Sequence, residues 1–123
     1  MLAAALALLG GCAAPAKPPM TAADYEVMQG VLAQSPAARR ELEQTCLEES
    51  RRRSEDERAA LGAVLDVDRG QVDRVFCERL VAAIARGEVG HADFTAMQQG
   101  SDDPDLMRRM LRALRRAPGQ LAI

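Results

Sequence analysis

The sequence predicts an all-α fold, a small disulfide-linked bundle of five to six short helices that follows an extended tether. No stretch alternates apolar and polar residues with the period of two that marks a half-buried strand. Apolar residues recur instead three and four positions apart, as at Cys77, Leu80, Val81 and Ile84, which places them on one helix face. Side chains that cap helices also recur along the chain at spacings typical of helix starts.

The first two helices are each predicted from a capping residue. Thr21 with Asp24 makes a pattern close to a capping box, and a helix should follow to about Ala33. Ser35 then caps a second helix with Pro36 in its first turn. This second helix should run to a cluster of three consecutive arginines.

The third and fourth helices are bounded by a capping box and by glycines. Ser54 with Glu57 is a complete capping-box pattern, which predicts a short third helix ending near Leu65. A fourth helix should begin near Gly70 and stop at Gly87, because glycine commonly ends helices. Its predicted buried side carries Val72, Phe76, Leu80 and Ala83.

A fifth helix is predicted over about 92–99, and a sixth from Pro104, with Asp102 or Asp103 at its cap. The sixth helix places five apolar residues on one stripe, Leu106, Met107, Met110, Leu111 and Leu114. We expect most of this stripe to pack against the domain, because the chain has few other large apolar side chains with which to build a core. The residues expected to pack are Leu106, Met110, Leu111 and Leu114.

The N-terminal residues carry a different pattern from the rest of the chain. An apolar run over residues 2–9 leads into Leu-Gly-Gly-Cys at residues 9–12. The run is much shorter than the roughly 20 apolar residues that a transmembrane helix needs. With leucine three positions before the cysteine and a small residue just ahead of it, the segment resembles the lipobox of bacterial lipoproteins. The resemblance implies that Cys12 receives a diacylglycerol thioether and that residues 1–11 are removed.

This resemblance also implies a division of the chain and a location. The predicted parts are a signal peptide at 1–11, a lipidated cysteine with a proline-rich tether at 12–20, a helical domain at 21–117 and a tail at 118–123. The implied location is the bacterial envelope, at the outer membrane facing the periplasm, because Ala13 stands where aspartate would favour inner-membrane retention. No Lys or Arg precedes Lys17, so we expect the true start upstream of Met1. The alternatives are an ordinary secretory signal and an alanine-rich disordered segment.

Two cysteines remain once Cys12 is lipidated. Cys46 and Cys77 then form an even pair in a compartment where disulfides persist, and each lies on an apolar helical face. We expect a bond that links the second and fourth helices, which matters because only 22 of the 112 residues from Cys12 onward are Leu, Ile, Val or Phe. The alternative is two inert buried thiols in a protein that stays in the cytosol.

The sequence predicts no catalytic, cofactor-binding or metal-binding constellation, and we expect no enzymatic activity. His91 is the only histidine and has no obvious partner, which favours a solvated loop residue. The cysteines lack the Cys-x-x-Cys spacing of structural zinc sites. With no Trp, two Phe and one Tyr, the chain offers little aromatic surface for bases or flat cofactors. The acidic pI near 5.4 and the export signal implied by the lipobox resemblance argue against nucleic acid as a partner.

Basic residues concentrate in the predicted sixth helix, while the preceding domain is acidic. The candidate surface for an anionic partner consists of Arg108, Arg109, Arg112, Arg115 and Arg116. Such a helix could lie on anionic lipid headgroups or bind an acidic partner. In the competing interpretation its apolar stripe completes the core, and the arginines face water or pair with the acidic body.

Three functions are compatible with these features. The preferred one is a membrane-anchored envelope lipoprotein that acts as a non-catalytic helical interaction or structural module, with an envelope protein as its partner. The second is a lipid- or polymer-binding protein that uses the basic C-terminal helix, which requires the apolar stripe to be exposed. The third is an enzyme inhibitor, or an enzyme whose site has no sequence signature, and a pocket of clustered titratable groups would favour it.

Overall fold

The computed structural model describes residues 18–116, which form one small bundle of six α-helices and one 3₁₀ turn. The helices are α1 Ala22–Gln34, α2 Pro36–Ser50, α3 Glu55–Leu65, α4 Val72–Ala85, α5 His91–Gln98 and α6 Pro104–Leu114. The predicted all-α class is confirmed, and the described residues include no strand. The lipobox-like segment, Cys12, most of the tether and the tail 118–123 lie outside the described residues. Between residues 18 and 116, no helix is both long and apolar enough to cross a membrane.

The caps of α1 and α2 form at the predicted residues. Thr21 Oγ1 accepts a hydrogen bond from the backbone N–H of Asp24 at 3.1 Å, and Ser35 Oγ accepts one from Ala38 at 3.1 Å. Each bond satisfies a backbone donor that the first turn of a helix leaves without an internal partner. Ser35 is the single residue between the two helices, so one extended residue turns α1 directly into α2.

The capping box of α3 is complete, and its far end requires a glycine. Ser54 Oγ accepts from the N–H of Glu57, and a carboxylate oxygen of Glu57 accepts from the N–H of Ser54, both at 3.1 Å. The helix ends at Asp66, which adopts a left-handed conformation with φ 55°. A Cβ on Gly62 would lie 2.8 Å from the carbonyl oxygen of Val67, so only glycine allows the chain to return this closely.

Helix α4 lies at the centre of the bundle and packs against α1, α2, α3 and α6. It begins at Val72, later than the predicted start near Gly70, because a 3₁₀ turn over Arg69–Gln71 precedes it. Its buried side chains are Val72, Cys77, Leu80, Val81, Ala82, Ala83, Ile84 and Ala85. Phe76, predicted on the buried side, packs against the core but is only partly buried.

A disulfide between Cys46 and Cys77 joins α2 to α4. The sulfur atoms are 2.10 Å apart and the Cα atoms 5.7 Å apart. The predicted pairing, and the two helices that it links, are confirmed. Because α4 is central, the bond fixes α2 to the element on which most of the other helices pack.

The apolar stripe of α6 packs against the bundle, although not along its whole width. Leu106, Met110 and Leu114 are 3–5% exposed, which confirms the predicted packing for these three side chains. Leu111 is half-buried, and Met107 is 54% exposed. One edge of the stripe therefore remains at the surface.

Helix α5 lies at the edge of the bundle, against α1 and α6. The ring of Phe94 packs on that of Tyr25, with the two ring centroids 5.4 Å apart. Tyr25 is 1% exposed, and its hydroxyl donates to the carbonyl oxygen of Val89 at 2.6 Å. The amide of Gln29 donates to the same oxygen at 3.1 Å, so α1 holds the connection that leads into α5.

Candidate functional site

An open apolar groove of about 500 Å³ lies between α3 and α6. We call it the α3–α6 groove and define it by Leu61 and Val64 of α3, Met107, Met110 and Leu111 of α6, and Met97 of α5. The capping box fixes the start of α3 and Pro104 fixes that of α6, so two locally specified helices form its walls. Its volume falls within the range of ligand-binding clefts, about 300–1,000 Å³.

A second cleft of about 330 Å³ adjoins this groove, between α2, α4 and α5. The two spaces share Arg53, Phe76 and Met97, so these side chains stand where one opens into the other. The disulfide side chain of Cys46 forms part of the wall of the second cleft. The incomplete burial of the Phe76 ring is explained by its position between these two open spaces.

Arg53 is held in place at this junction by three partners. The guanidinium carbon lies 4.4 Å from the centroid of the Phe76 ring, and Nη1 lies 3.1 Å from an Asp73 carboxylate oxygen. The same Nη1 donates to Ser50 Oγ at 3.1 Å. Contact with a ring face and with a carboxylate keeps the guanidinium at the surface of the junction, where an anionic or polar group could also reach it.

A buried hydroxyl touches the disulfide behind this junction. Ser50 is 3% exposed, and its Oγ lies 3.5 Å from Cys77 Sγ. Since a disulfide sulfur carries no hydrogen, the hydroxyl is the donor. Ser50 thus accepts from Arg53 and donates towards the sulfur, which satisfies a polar group that would otherwise be costly to bury.

The five predicted arginines do not form one uniform basic surface. Arg108 pairs with Asp105 at 3.0 Å, Arg109 with both carboxylate oxygens of Asp93 at 2.9 and 3.1 Å, and Arg116 with Glu88 at 2.6 Å. Arg112 and Arg115 are exposed, and neither forms an ion pair within residues 18–116. Three of the five therefore pair with carboxylates of this chain. This agrees in part with the interpretation in which the arginines face water or pair with the acidic body of the domain.

The C-terminal end of α6 is tied to the α4–α5 connection through a buried guanidinium. The side chain of Arg86 is 7% exposed, and its Nη2 donates to Glu88 at 3.0 Å and to the carbonyl oxygen of Ala113 at 3.4 Å. Glu88 also accepts from Arg116. One carboxylate thus joins two arginines from different elements, and this cluster stabilises the position of α6.

His91 is not a solvated loop residue, contrary to expectation. It is the first residue of α5, is half-buried, and its Nε2 donates to the backbone carbonyl oxygen of Met20. Its ring centroid lies 5.7 Å from that of Tyr25. Burial, with a smaller contribution from the negative charge of Asp93, raises the pKa of Tyr25 to about 12. The side chains of Tyr25 and His91 thus hold the N-terminal part of the described domain against α5 and the connection before it.

Within residues 18–116, no three His, Cys, Asp or Glu side chains lie close enough together to hold a metal ion. Comparison with protein-family models, with curated proteins and with solved structures found no match to this chain.

Sequence patterns did not identify the α3–α6 groove. Val64 and Met97 had no sequence signal, because a groove depends on the distance between helices that are far apart in the chain. One signal was present in α6: its stripe has five apolar residues, whereas the core covers three of them closely. The remaining two, Met107 and Leu111, line the groove.

Proposed function

We propose that this protein is a lipid-anchored lipoprotein of the bacterial envelope whose helical domain acts as a non-catalytic interaction module. The observation that carries the anchoring is the Leu-Gly-Gly-Cys segment at residues 9–12, directly after a short apolar run. The proposed anchor is a diacylglycerol thioether on Cys12, with the domain on the periplasmic side of the outer membrane.

The interaction role is supported by the contrast between two kinds of surface in the described residues. The α3–α6 groove is an open apolar surface lined mainly by Leu, Val and Met side chains. The charged side chains beside it are engaged in caps and ion pairs, as Glu57 is in its capping box and Arg53 is with Asp73. An apolar surface of this kind suits binding, whereas acid–base catalysis requires titratable groups that face a substrate.

The disulfide also supports an exported domain. Disulfides persist in oxidising compartments such as the periplasm and are rare in the cytosol. The Cys46–Cys77 bond lies between two helices of the core, where it stabilises the folded state.

The anchoring is tested by metabolic labelling with a fatty-acid analogue, with the protein expressed from its own gene in its native host. The wild type should take up the label, Cys12→Ser should not, and the matched control Lys17→Ser should label like the wild type. Equal labelling of wild type and Cys12→Ser would refute the lipid anchor. Membrane fractionation tests the location: the labelled wild type should sediment with outer membranes, and Ala13→Asp should shift it to inner membranes.

A lipid- or polymer-binding role for the basic α6 is the second candidate, favoured by Arg112 and Arg115, which are exposed and form no ion pair within residues 18–116. This role needs an exposed apolar stripe beside the arginines, and the burial of Leu106, Met110 and Leu114 leaves little of it. We therefore place the interaction surface in the α3–α6 groove.

A further inference from the structure

We propose that the α3–α6 groove binds one amphipathic helix of a partner protein, with the apolar face of that helix in the groove and acidic residues along one flank. This inference rests on the proposed function, in which the domain acts by binding a partner, and adds the site and the chemistry of the partner.

The shape of the groove suits about two turns of helix. Its α6 wall extends from Leu106 to Leu114, which spans roughly 12 Å at 1.5 Å per residue. The two rims carry exposed apolar side chains, Val64 at 43% and Met107 at 54% exposure, so the groove is open to solvent between them. Helices that bind in grooves insert apolar anchors spaced i, i+3, i+4 and i+7, which fits a groove of this length.

Three methionines line the groove: Met97, Met107 and Met110. Methionine side chains are unbranched, flexible and polarisable, and for this reason they are common on surfaces that adapt to apolar side chains of a partner. An apolar helix face could therefore be accommodated by changes in side-chain rotamer, without movement of the helices that form the walls.

The charge of the α6 rim selects an acidic partner. Arg108 and Arg115 lie three residues before and four residues after Leu111, so both are its neighbours on the helix surface. Arg115 forms no ion pair within residues 18–116, and Arg108 pairs only with Asp105, where both side chains are more than two-thirds exposed. An exposed pair of this kind is weak, so both guanidinium groups are available to a partner's carboxylates.

A bilayer fits this surface less well than a helix does. A flat membrane touches protruding side chains, whereas Leu106, Met110 and Leu114 lie below the rims at 3–5% exposure. On the α3 side the groove is lined by Glu57, whose charge would face an anionic lipid surface. A partner helix avoids both problems, because its apolar side chains can reach the buried floor of the groove while its acidic flank faces the α6 rim, on the side opposite Glu57.

A second copy of this chain is also a poorer occupant. Its own α6 would bring arginines against Arg108 and Arg115, and like charges at an interface are unfavourable. Its α1 exposes Val27 and Val31, at 68% and 51%, but valine is too short to fill a groove whose floor is formed by Met110. A partner with larger apolar anchors and acidic flanks satisfies both conditions.

The test uses the full 123-residue chain, isotope-labelled on methionine methyl groups, and a synthetic helical peptide of about 15 residues, or roughly four turns. The peptide carries leucines at i, i+3, i+4 and i+7 and glutamates along one flank. One control peptide replaces the glutamates with lysines, and another scrambles the leucine spacing. The acidic peptide should shift the methyl signals of Met97, Met107 and Met110, while Met20 and Met28 stay unchanged.

Two variants and two matched controls locate the contact. Met107→Glu should weaken binding at least about tenfold, whereas Val27→Glu, an exposed change on α1, should leave it unchanged. Arg115→Glu should weaken the acidic peptide about fivefold and strengthen the lysine peptide, whereas Arg40→Glu should do neither. The altered side chains are exposed, so each variant should fold, which circular dichroism verifies.

Several results would overturn the proposal. One is the absence of methyl shifts at about millimolar peptide, and another is equal binding of the acidic and lysine peptides. Binding that appears only after residues 117–123 are deleted would assign the groove to this chain's own tail. Binding to phosphatidylglycerol vesicles that Met107→Glu abolishes and the peptide does not compete would assign it to the membrane. Self-association lost in both Met107→Glu and Val27→Glu would assign it to a second copy.

The proposed anchor stands or fails separately. A protein without a fatty-acid label can still bind the peptide, and a labelled protein can fail to bind it.

Discussion

Removal of the Cys46–Cys77 disulfide should reveal how much of the stability of this domain depends on one cross-link. The bond joins residues 31 positions apart, and the chain-entropy model gives about 3.7 kcal/mol for a loop of that length. Total stabilities of small domains are about 5–15 kcal/mol, so this bond supplies a large share. We predict that Cys46→Ser lowers the free energy of unfolding by about 3–4 kcal/mol.

The variant also leaves an unpaired thiol in the core. Cys77 is fully buried beside the Ser50 hydroxyl. Its thiol therefore stays shielded from water in the variant, although the covalent link to α2 is lost. For a domain of roughly 100 residues, a loss of this size lowers the melting temperature by about 15–30 °C.

The assay is thermal and urea unfolding followed by far-ultraviolet circular dichroism, without reductant. Cys12→Ser is the matched control, because it removes a cysteine that the disulfide does not use, and it should unfold like the wild type. A loss below about 1 kcal/mol in Cys46→Ser would refute the reasoning. Alkylation of both Cys46 and Cys77 in denatured, non-reduced wild type would refute the bond itself.

Further predictions concern the core, a close backbone contact and α6. Burial raises the pKa of Tyr25 to about 12 from 10.0, so the stability that the neutral phenol contributes should be complete below about pH 10 and be lost as the pH rises through 12. Tyr25 is the only tyrosine and the chain has no tryptophan, so its titration can be followed by tyrosinate absorbance. A midpoint near pH 10 in the folded protein would contradict this prediction. Gly62→Ala should lower the free energy of unfolding in urea by about 1–3 kcal/mol, because the added Cβ meets a backbone carbonyl oxygen. Gly30→Ala, with open space around the added Cβ, should raise it by about 0.5–1 kcal/mol. Equal effects of the two substitutions would refute the steric argument. Leu111→Asp should lower the free energy of unfolding by about 2 kcal/mol or more, because Leu111 is half-buried. Arg112→Glu, at an exposed position, should change it by less than about 1 kcal/mol. The reverse order would show that Leu111 does not pack against the bundle.

The helix starts could be predicted because their causes are local. The Ser35 cap and the Ser54–Glu57 capping box each involve residues three apart in the chain, and both form as expected. The 3₁₀ turn at Arg69–Gln71 was not foreseen, because no comparable local signal separates a tight first turn from an α-helical one. The start of α4 was accordingly placed too early.

Contacts between distant segments were harder to predict. His91 donates to the carbonyl oxygen of Met20, 71 positions away, and no sequence pattern connects the two. The groove likewise depends on where α6 lies relative to α3, and the partial exposure of Phe76 depends on the two open spaces that it lines. The disulfide is a long-range contact that could be predicted, because only two cysteines remained once Cys12 was assigned to the lipobox.

The peripheral position of α5 has a kinetic consequence for the disulfide. This helix has eight residues, no capping side chain at Gly90 and no fully buried residue, and within residues 18–116 its backbone is not in close contact with α4. Such a segment opens at a lower free energy than the rest of a domain, so its amide hydrogens should exchange with solvent faster than those of α4. The cleft that reaches Cys46 is closed on one side by α5. Cys46 is already partly exposed in this cleft, so a small thiol should reduce the bond faster than the domain unfolds, and local opening of α5 should raise that rate further.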